Sequence, residues 1–255
     1  MRNIKLIIEY DGKGFGGWQK QPSHLNIQGE IEMAIQQITG EEVELIGSGR
    51  TDAGVHSLGQ TANFKTNSEI PIEKIPLAIN SKLKHSIRIK KAEEVEERFH
   101  ARYHCKGKKY RYILNNSLTG SAIYRGLEYH VSNHLDIQAM RKAAHYLEGE
   151  HDFTSFRASG TSSKNSVRTI YKIEVIPQGE RIFLEFTGSG FLYNMVRILS
   201  GTLVEVGMRK NKTRRYTGYF RSKESSKSGK NTTGTRTLFG GSILLREILV
   251  FSNRV

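Results

Sequence analysis

The sequence predicts an α+β protein built from two similar halves. Short β-branched or aromatic segments bounded by turn residues predict strands, and apolar residues spaced three and four apart predict helices. The strands come in adjacent pairs, and the order of strands and helices partly recurs in the second half. A chain of 255 residues is long enough for one large domain or two small ones. We place the first half at 1–105 and the second at 106–208, followed by an unusual tail at 209–255.

The predicted elements follow in order along each half. In the first half they are a strand at 3–10, a helix at 26–40, strands at 43–46 and 60–65, a helix at 72–83 and a strand at 87–93. In the second half they are a strand at 108–114, a helix at 136–149, strands at 167–176 and 181–186, and a helix at 191–206. The first helix is the best marked, since Asn26 suits its start and Gly40 its end.

Composition bounds the class of protein. One cysteine, Cys105, excludes a disulfide framework and favours a reducing compartment. The sequence has no signal-peptide pattern and no apolar run long enough for a membrane span, so we expect a soluble, cytoplasmic protein. The net charge of +14 is uneven, because residues 209–255 hold 12 Lys and Arg against 2 Glu and residues 1–208 hold 27 against 23 acids. The body is therefore only mildly basic, which weakens any inference of a polyanionic partner from charge alone.

One loop carries an unusual group of chemically active residues. The string GRTDAGVH, residues 49–56, places Arg50, Asp52 and His56 within seven positions on a loop with glycines at its turns. A carboxylate there can act as a nucleophile or a general base, and a nearby guanidinium would favour its charged form. The alternative is an Asx turn in which Asp52 caps its own loop, which is the commoner role of an arbitrary Arg-Thr-Asp sequence.

Read as a whole, GRTDAGVH resembles the signature loop of the TruA family of tRNA pseudouridine synthases. Further stretches similar to the family occur in the expected order: YDGKGFGGWQKQP, KKYRYIL, GEHDFTSFRAS, VRTIYKIEV and GSGFLYNMVRILSGTLVEVG. The chain has Ser57 where the family has alanine, a small-for-small change. The resemblance implies the pseudouridine synthase fold, in which two α/β halves with mixed, mainly antiparallel sheets form a central RNA-binding cleft.

The resemblance also implies a role for each matching residue. Asp52 would be the catalytic carboxylate, Arg197 the arginine that pairs with it and Arg50 the residue that enters the RNA stack as the base leaves. Tyr110 would stack on the extruded uracil, and His56 would contact the nucleotide. Without the resemblance, Tyr110 is an inward-facing strand residue, Arg197 an arginine on an apolar helix and His56 a loop histidine bonded to backbone.

The implied activity is the isomerisation of uridine to pseudouridine at positions 38 to 40 in the anticodon stem-loop of tRNA, by a homodimer. The reaction needs no redox step, so we expect no cofactor and no metal. Tyrosines interleave the basic run at 102–111, which fits an RNA groove, although charge runs are commonly just solvated faces. The rivals are an RNA-binding descendant that has lost turnover and a carboxylate hydrolase, for which no second acid is evident.

The tail at 209–255 departs from the family pattern. It contains few acids, no proline and scattered Gly, Ser and Thr, a composition closer to a disordered tail than to a core strand. Back-translating it with permitted codons and reading one base later yields a family-like C-terminus. We therefore hypothesise a frameshift near Met208, and we expect the chain as written to lack a final helix and strand. An intact reading frame across codon 208 in the DNA would remove this explanation.

Overall fold

The computed structural model describes residues 1–21, 24–158 and 165–208, together with the backbone of Leu244–Glu247. It divides into two compact units, of which the first contains Met1–Lys109 and the strand at 244–247, and the second begins at Tyr110. Both units combine helices with strands, so the predicted α+β class is confirmed. No helix within the described ranges has the length and apolar character that crossing a membrane requires.

The first unit is a mainly antiparallel sheet with helices packed on it. Its elements are β1 (Arg2–Tyr10), α1 (Ile27–Thr39), β2 (Ile46–Gly47), β3 (His56–Thr66), α2 (Ile75–Asn80) and β4 (Ile87–Val95). β1 lies between β4 and β3 and is antiparallel to both, with Arg2 opposite Thr66 and Tyr10 opposite Ser57. This register brings the end of β1 beside the start of β3, where the GRTDAGVH loop enters the sheet.

Helix α1 forms where its periodicity predicts and closes the core of this unit. Asn26 caps it, because its side-chain oxygen accepts a hydrogen bond of 2.8 Å from the backbone N–H of Gly29. Gly40 ends it in the left-handed conformation, with φ of 75°. The apolar face of α1 packs against alternate residues of β1 in one buried cluster that includes Ile4, Leu6, Ile8, Ile27, Ile31 and Ile35. The start and end predicted for this helix are both confirmed.

The strand predicted at 43–46 is reduced to the two residues of β2. Leu45 is buried, yet its backbone does not enter the sheet. Instead, its N–H donates to Glu32 Oε1 at 3.1 Å and its carbonyl accepts from Gln28 Nε2 at 3.2 Å. Side chains of α1 therefore satisfy the backbone groups that a strand ladder would otherwise pair.

The second unit repeats the combination of sheet and helices. Its elements are β5 (Lys108–Asn115, of which Tyr110 onward belongs to this unit), β6 (Tyr129–His130), α3 (Ile137–His145), β7 (Gly149–Asp152), β8 (Val167–Gln178), β9 (Arg181–Gly188) and α4 (Met195–Gly207). The strand order is β5, β9, β8 and β7, and β6 pairs in parallel with β5. β8 is antiparallel to both β7 and β9.

Both helices of the second unit are shorter than the sequence predicts. α3 ends at His145, because Gly149 has φ of 99° and already begins β7 opposite Ile170. α4 begins at Met195, since Asn194 before it adopts a left-handed conformation with φ of 56° that interrupts helical geometry. From there most residues of α4 are buried.

The tail contributes one described element, the backbone strand β10 (Leu244–Glu247). It pairs in parallel with β3, with Leu245 opposite His56 and Arg246 opposite Ser57. The expectation that the written tail supplies no strand is therefore wrong for this segment. The other residues of the tail lie outside the described residues.

Candidate active site

The loop predicted to carry chemistry connects β2 to β3 and displays alternating side chains. Thr51 is buried, with 7% of its surface exposed, whereas the neighbouring Arg50 and Asp52 are exposed. A turn follows, in which the N–H of Val55 donates to the carbonyl of Asp52 at 3.2 Å. The loop is therefore anchored through Thr51 and presents the guanidinium and the carboxylate on either side of that anchor.

Thr51 is held by two residues from the segment around the end of β1. The Tyr10 hydroxyl lies 2.9 Å from Thr51 Oγ1, and the backbone N–H of Trp18 donates to the Thr51 carbonyl at 3.1 Å. Tyr10 and Trp18 are themselves buried and pack with ring centroids 6.1 Å apart. One side-chain and one backbone hydrogen bond thus fix the residue that precedes Asp52.

Two glycines allow this segment to lie directly against the loop. A Cβ built on Gly12 would overlap the Val55 carbonyl, and one built on Gly17 would lie 2.5 Å from the Thr51 carbonyl oxygen and 3.2 Å from the Asp52 carbonyl carbon. Gly17 also has φ of 108°, a conformation that L-residues rarely adopt. The backbone of Asp52 therefore lies so close to Gly17 that a side chain at position 17 would not fit.

His56 closes the loop as the first residue of β3, with only 6% of its surface exposed. Its Nδ1 lies 3.1 Å from Asp11 Oδ1, which also accepts a hydrogen bond of 2.9 Å from the N–H of Lys13. Burial lowers the pKa of His56, against the opposing effect of Asp11, so the neutral ring is favoured. Because a carboxylate can only accept, Nδ1 carries the proton, and within the described residues the buried Nε2 has no hydrogen-bond partner.

Tyr110 lies on β5 of the second unit and is half-buried, whereas Tyr112 on the same strand is fully buried. The ring of Tyr110 meets Phe191 edge to face, with centroids 5.1 Å apart. Arg111, between Tyr110 and Tyr112 on the strand, donates from Nε to Glu185 Oε1 at 2.7 Å, and its guanidinium lies over the ring of Phe183. This ion pair neutralises one cation of the basic run at 102–111, so Arg111 does not add to a positive surface.

Arg197 is a charged residue in the first turn of a mostly apolar helix. On α4 its neighbours Val196 and Ile198 are buried, while Arg197 itself is only partly so. The predicted site residues thus divide between the units: Arg50, Asp52 and His56 belong to the first, and Tyr110 and Arg197 belong to the second. The sequence did not single out Asp11, Gly17 or Trp18 as neighbours of the loop, although the clustered glycines of YDGKGFGGW were a usable signal of close backbone approach.

In this α+β protein an exposed carboxylate lies on a loop of fixed backbone, which is a common setting for functional side chains. A profile of the tRNA pseudouridine synthase family matches residues 6–104 and 143–238. The chain is 53% identical over 210 residues to tRNA pseudouridine synthase A of Acetivibrio thermocellus, covering 82% of this chain and 86% of the relative. It is 46% identical over 229 residues to the tRNA pseudouridine synthase A of a Thermoanaerobacter species, covering 90% and 94%.

The chain therefore belongs to the tRNA pseudouridine synthase family, a family of isomerases. Among solved structures, the archaeal box H/ACA sRNP Nop10–Cbf5 complex is similar at 12% identity and a TM-score of 0.39, covering 94% of this chain and 46% of that chain. The family match extends to residue 238, past residue 208 where we expected the resemblance to end. The frameshift itself stays a prediction.

We expect Gly17→Ala to destabilise the protein far more than Gly14→Ala. Both glycines have positive φ, so both changes strain the backbone by about 1 kcal/mol, but a Cβ on Gly14 meets nothing within 4 Å. At Gly17 the new methyl also displaces the backbone of Thr51 and Asp52, and we expect a total loss above about 3 kcal/mol. Urea unfolding measures both losses of stability. Equal losses would show that the close contact of Gly17 with the backbone of Thr51 and Asp52 contributes nothing to stability.

The buried His56 makes stability depend on pH. Its folded pKa is lowered from 6.5, so below that pH the unfolded chain takes up a proton that the folded chain does not. Stability is therefore retained above pH 6.5 and falls as the pH is lowered from there toward the folded pKa. Unfolding free energies between about pH 7 and 5 should decrease more for the wild type than for His56→Gln.

Asp11→Asn provides the matched control for this pH effect. Asp11 raises the pKa of His56, so removing its charge lowers that pKa further and enlarges the loss of stability at acidic pH. A pH dependence identical in the wild type and both variants would show that His56 does not titrate differently on folding.

Proposed function

We propose that this chain isomerises uridine to pseudouridine in tRNA, with Asp52 as the catalytic carboxylate. The observation that carries the proposal is the exposed Asp52 on a loop whose backbone is fixed at Thr51 and faces Gly17. Membership of the tRNA pseudouridine synthase family supports the reaction, and relatives named tRNA pseudouridine synthase A support the substrate. A fixed backbone with an outward carboxylate suits a group that must meet a large substrate in one orientation.

The reaction is an exchange of bonds within one nucleotide. The bond from ribose C1′ to uracil N1 breaks, the uracil turns while it is held, and a bond from C1′ to C5 forms. C5 then loses its hydrogen as a proton, and N1 gains a proton. Asp52 would attack either C1′ or the pyrimidine ring, and its carboxylate is restored when the new bond is complete. Atoms and electrons balance without a redox partner, so we propose that no cofactor takes part.

The other predicted site residues receive proposed roles from their motif positions. Arg197 pairs with the catalytic carboxylate and orients it, and Arg50 occupies the space that the extruded base leaves. Tyr110 is half-buried against Phe191, and its ring stacks on the uracil. The contact between His56 and the nucleotide stays a prediction, and it requires access to a ring that is buried against Asp11.

The finer assignment also rests on the family resemblance. We propose uridines at positions 38 to 40 of the anticodon stem-loop as targets, a homodimer as the active form and the cytoplasm as the compartment. A second candidate, an RNA-binding descendant without turnover, is favoured by one observation: the tail at 209–255 carries 12 Lys and Arg against 2 Glu. Such a tail attracts RNA without contributing to catalysis.

Tritium release from tRNA that carries C5-tritiated uridine tests the proposed reaction. The wild-type chain should release tritium, because C5 must lose its hydrogen, and Asp52→Asn should reduce release by at least about 10³-fold, as expected for loss of an essential nucleophile. Tyr110→Ala and Arg197→Ala, measured in the same assay, should also reduce turnover strongly.

Tritium release that survives unchanged in Asp52→Asn would refute the role of Asp52. Wild-type protein that binds tRNA but releases no tritium would favour the RNA-binding descendant. In that case a protein with the restored reading frame distinguishes a disabled synthase from a protein that never had the activity.

A further inference from the structure

Residues 98–104, here called the aromatic turn, display aromatic and cationic side chains on the first unit. The turn follows β4, and Tyr103 is its most prominent member, with 78% of its surface exposed. One side of the Tyr103 ring stacks on His100, with centroids 4.1 Å apart and planes inclined by 29°. Arg98 and Arg102 are also exposed, and no acidic residue occurs between positions 98 and 106.

Local hydrogen bonds lock the backbone of the aromatic turn. The N–H of His104 donates to the His100 carbonyl at 3.0 Å, and the N–H of His100 donates to His104 Nδ1 at 3.0 Å. The ring of His104 in turn stacks on Phe99, with centroids 5.6 Å apart. Tyr103 is therefore held on a preformed turn, and a contact made there loses little conformational entropy.

Buried amides fasten the aromatic turn to the sheet. The N–H of Ala101 donates to Asn63 Oδ1 at 2.8 Å, and Asn63 Nδ2 donates to Asn3 Oδ1 at 2.9 Å. Asn3 Nδ2 then donates to the carbonyl of Phe99 at 2.9 Å. Asn3 and Asn63 are each only 2% exposed, so this network fixes the exposed turn from inside the unit.

The aromatic turn and the Asp52 loop lie toward opposite ends of the same strand pair. The loop enters β3 at His56, whereas the turn is bonded to Asn63, seven residues further along that strand. At about 3.3 Å per residue the two anchor points are roughly 23 Å apart. A free nucleoside cannot span that distance, but a folded RNA can contact both places.

We propose that the aromatic turn is a second RNA contact, at which an unpaired base of the tRNA stacks on Tyr103 and neighbouring phosphates meet Arg102. The proposal rests on the proposed function, because it takes tRNA as the substrate. An exposed, immobilised ring beside cations is the arrangement by which proteins hold single-stranded nucleotides. Arg98 is the lesser contributor, since it is already paired with Glu96 at 2.6 Å.

The test is the dissociation constant of unmodified tRNA for the full chain and its variants. Tyr103→Ala should weaken binding about tenfold, and Tyr103→Phe should keep it within about twofold, because stacking needs the ring and not the hydroxyl. Arg102→Ala should weaken binding and lower the salt dependence by about one phosphate contact. Tyr146→Ala is the matched control, since Tyr146 is 59% exposed on the second unit and should leave binding unchanged.

Equal binding by the wild type and Tyr103→Ala would overturn the proposal, as would wild-type protein that binds no tRNA. So would a Tyr103→Phe loss as large as that of Tyr103→Ala. A change confined to oligomeric state, seen by sedimentation of the proteins without RNA, would assign the surface to a second copy of the chain. Tight binding that depends on Tyr103, combined with no tritium release, would support this contact while refuting the proposed reaction.

Discussion

The close backbone contact between the segment after β1 and the loop before β3 is the constraint on which the candidate site depends. Antiparallel pairing places Tyr10 opposite Ser57. The segment after β1 and the loop before β3 then lie against each other at that end of the strand pair. Only residues without a Cβ fit there, which explains glycine at positions 12 and 17. The hydrogen bond from Trp18 to Thr51 completes the contact. The backbone position of Asp52 therefore depends on the register between β1 and β3.

The same strand pair is also fixed at its other end, by different chemistry. Asn3 near the start of β1 and Asn63 in β3 form a buried amide network that holds the chain after β4. Buried amides cost free energy unless they are bonded, and here each bond also specifies one arrangement of the connected loops. At one end of the strand pair, Gly12 and Gly17 let two backbone segments come into contact. At the other end, the bonded side chains of Asn3 and Asn63 hold the chain. Each end therefore holds a surface loop in a fixed geometry.

The sequence predicts what depends on near neighbours and misses what depends on distant ones. The caps of α1 were predictable, because Asn26 and Gly40 act within a few residues of their own helix. The loss of the strand at 43–46 was not, since it results from Glu32 and Gln28 bonding to Leu45 across the fold. The motif predicted a role for Asp52. The contacts of its loop with Gly17 and Trp18, and the burial of His56 against Asp11, could not be predicted because they depend on the pairing of β1 with β3.

The tail is connected to the candidate site through the pairing of β10 with β3. β10 pairs in parallel with β3 on the side opposite β1, and its Leu245 lies beside His56. At Ser57, the residue after His56, β3 is therefore paired on both sides, with Tyr10 of β1 and Arg246 of β10. A different tail sequence would change the strand that pairs with β3 at this point. It would alter the backbone hydrogen bonds of β3 without contacting the Asp52 loop itself. The effect of a shifted reading frame on the site is thus expected to act through β3, by loosening the end of the loop that His56 fixes.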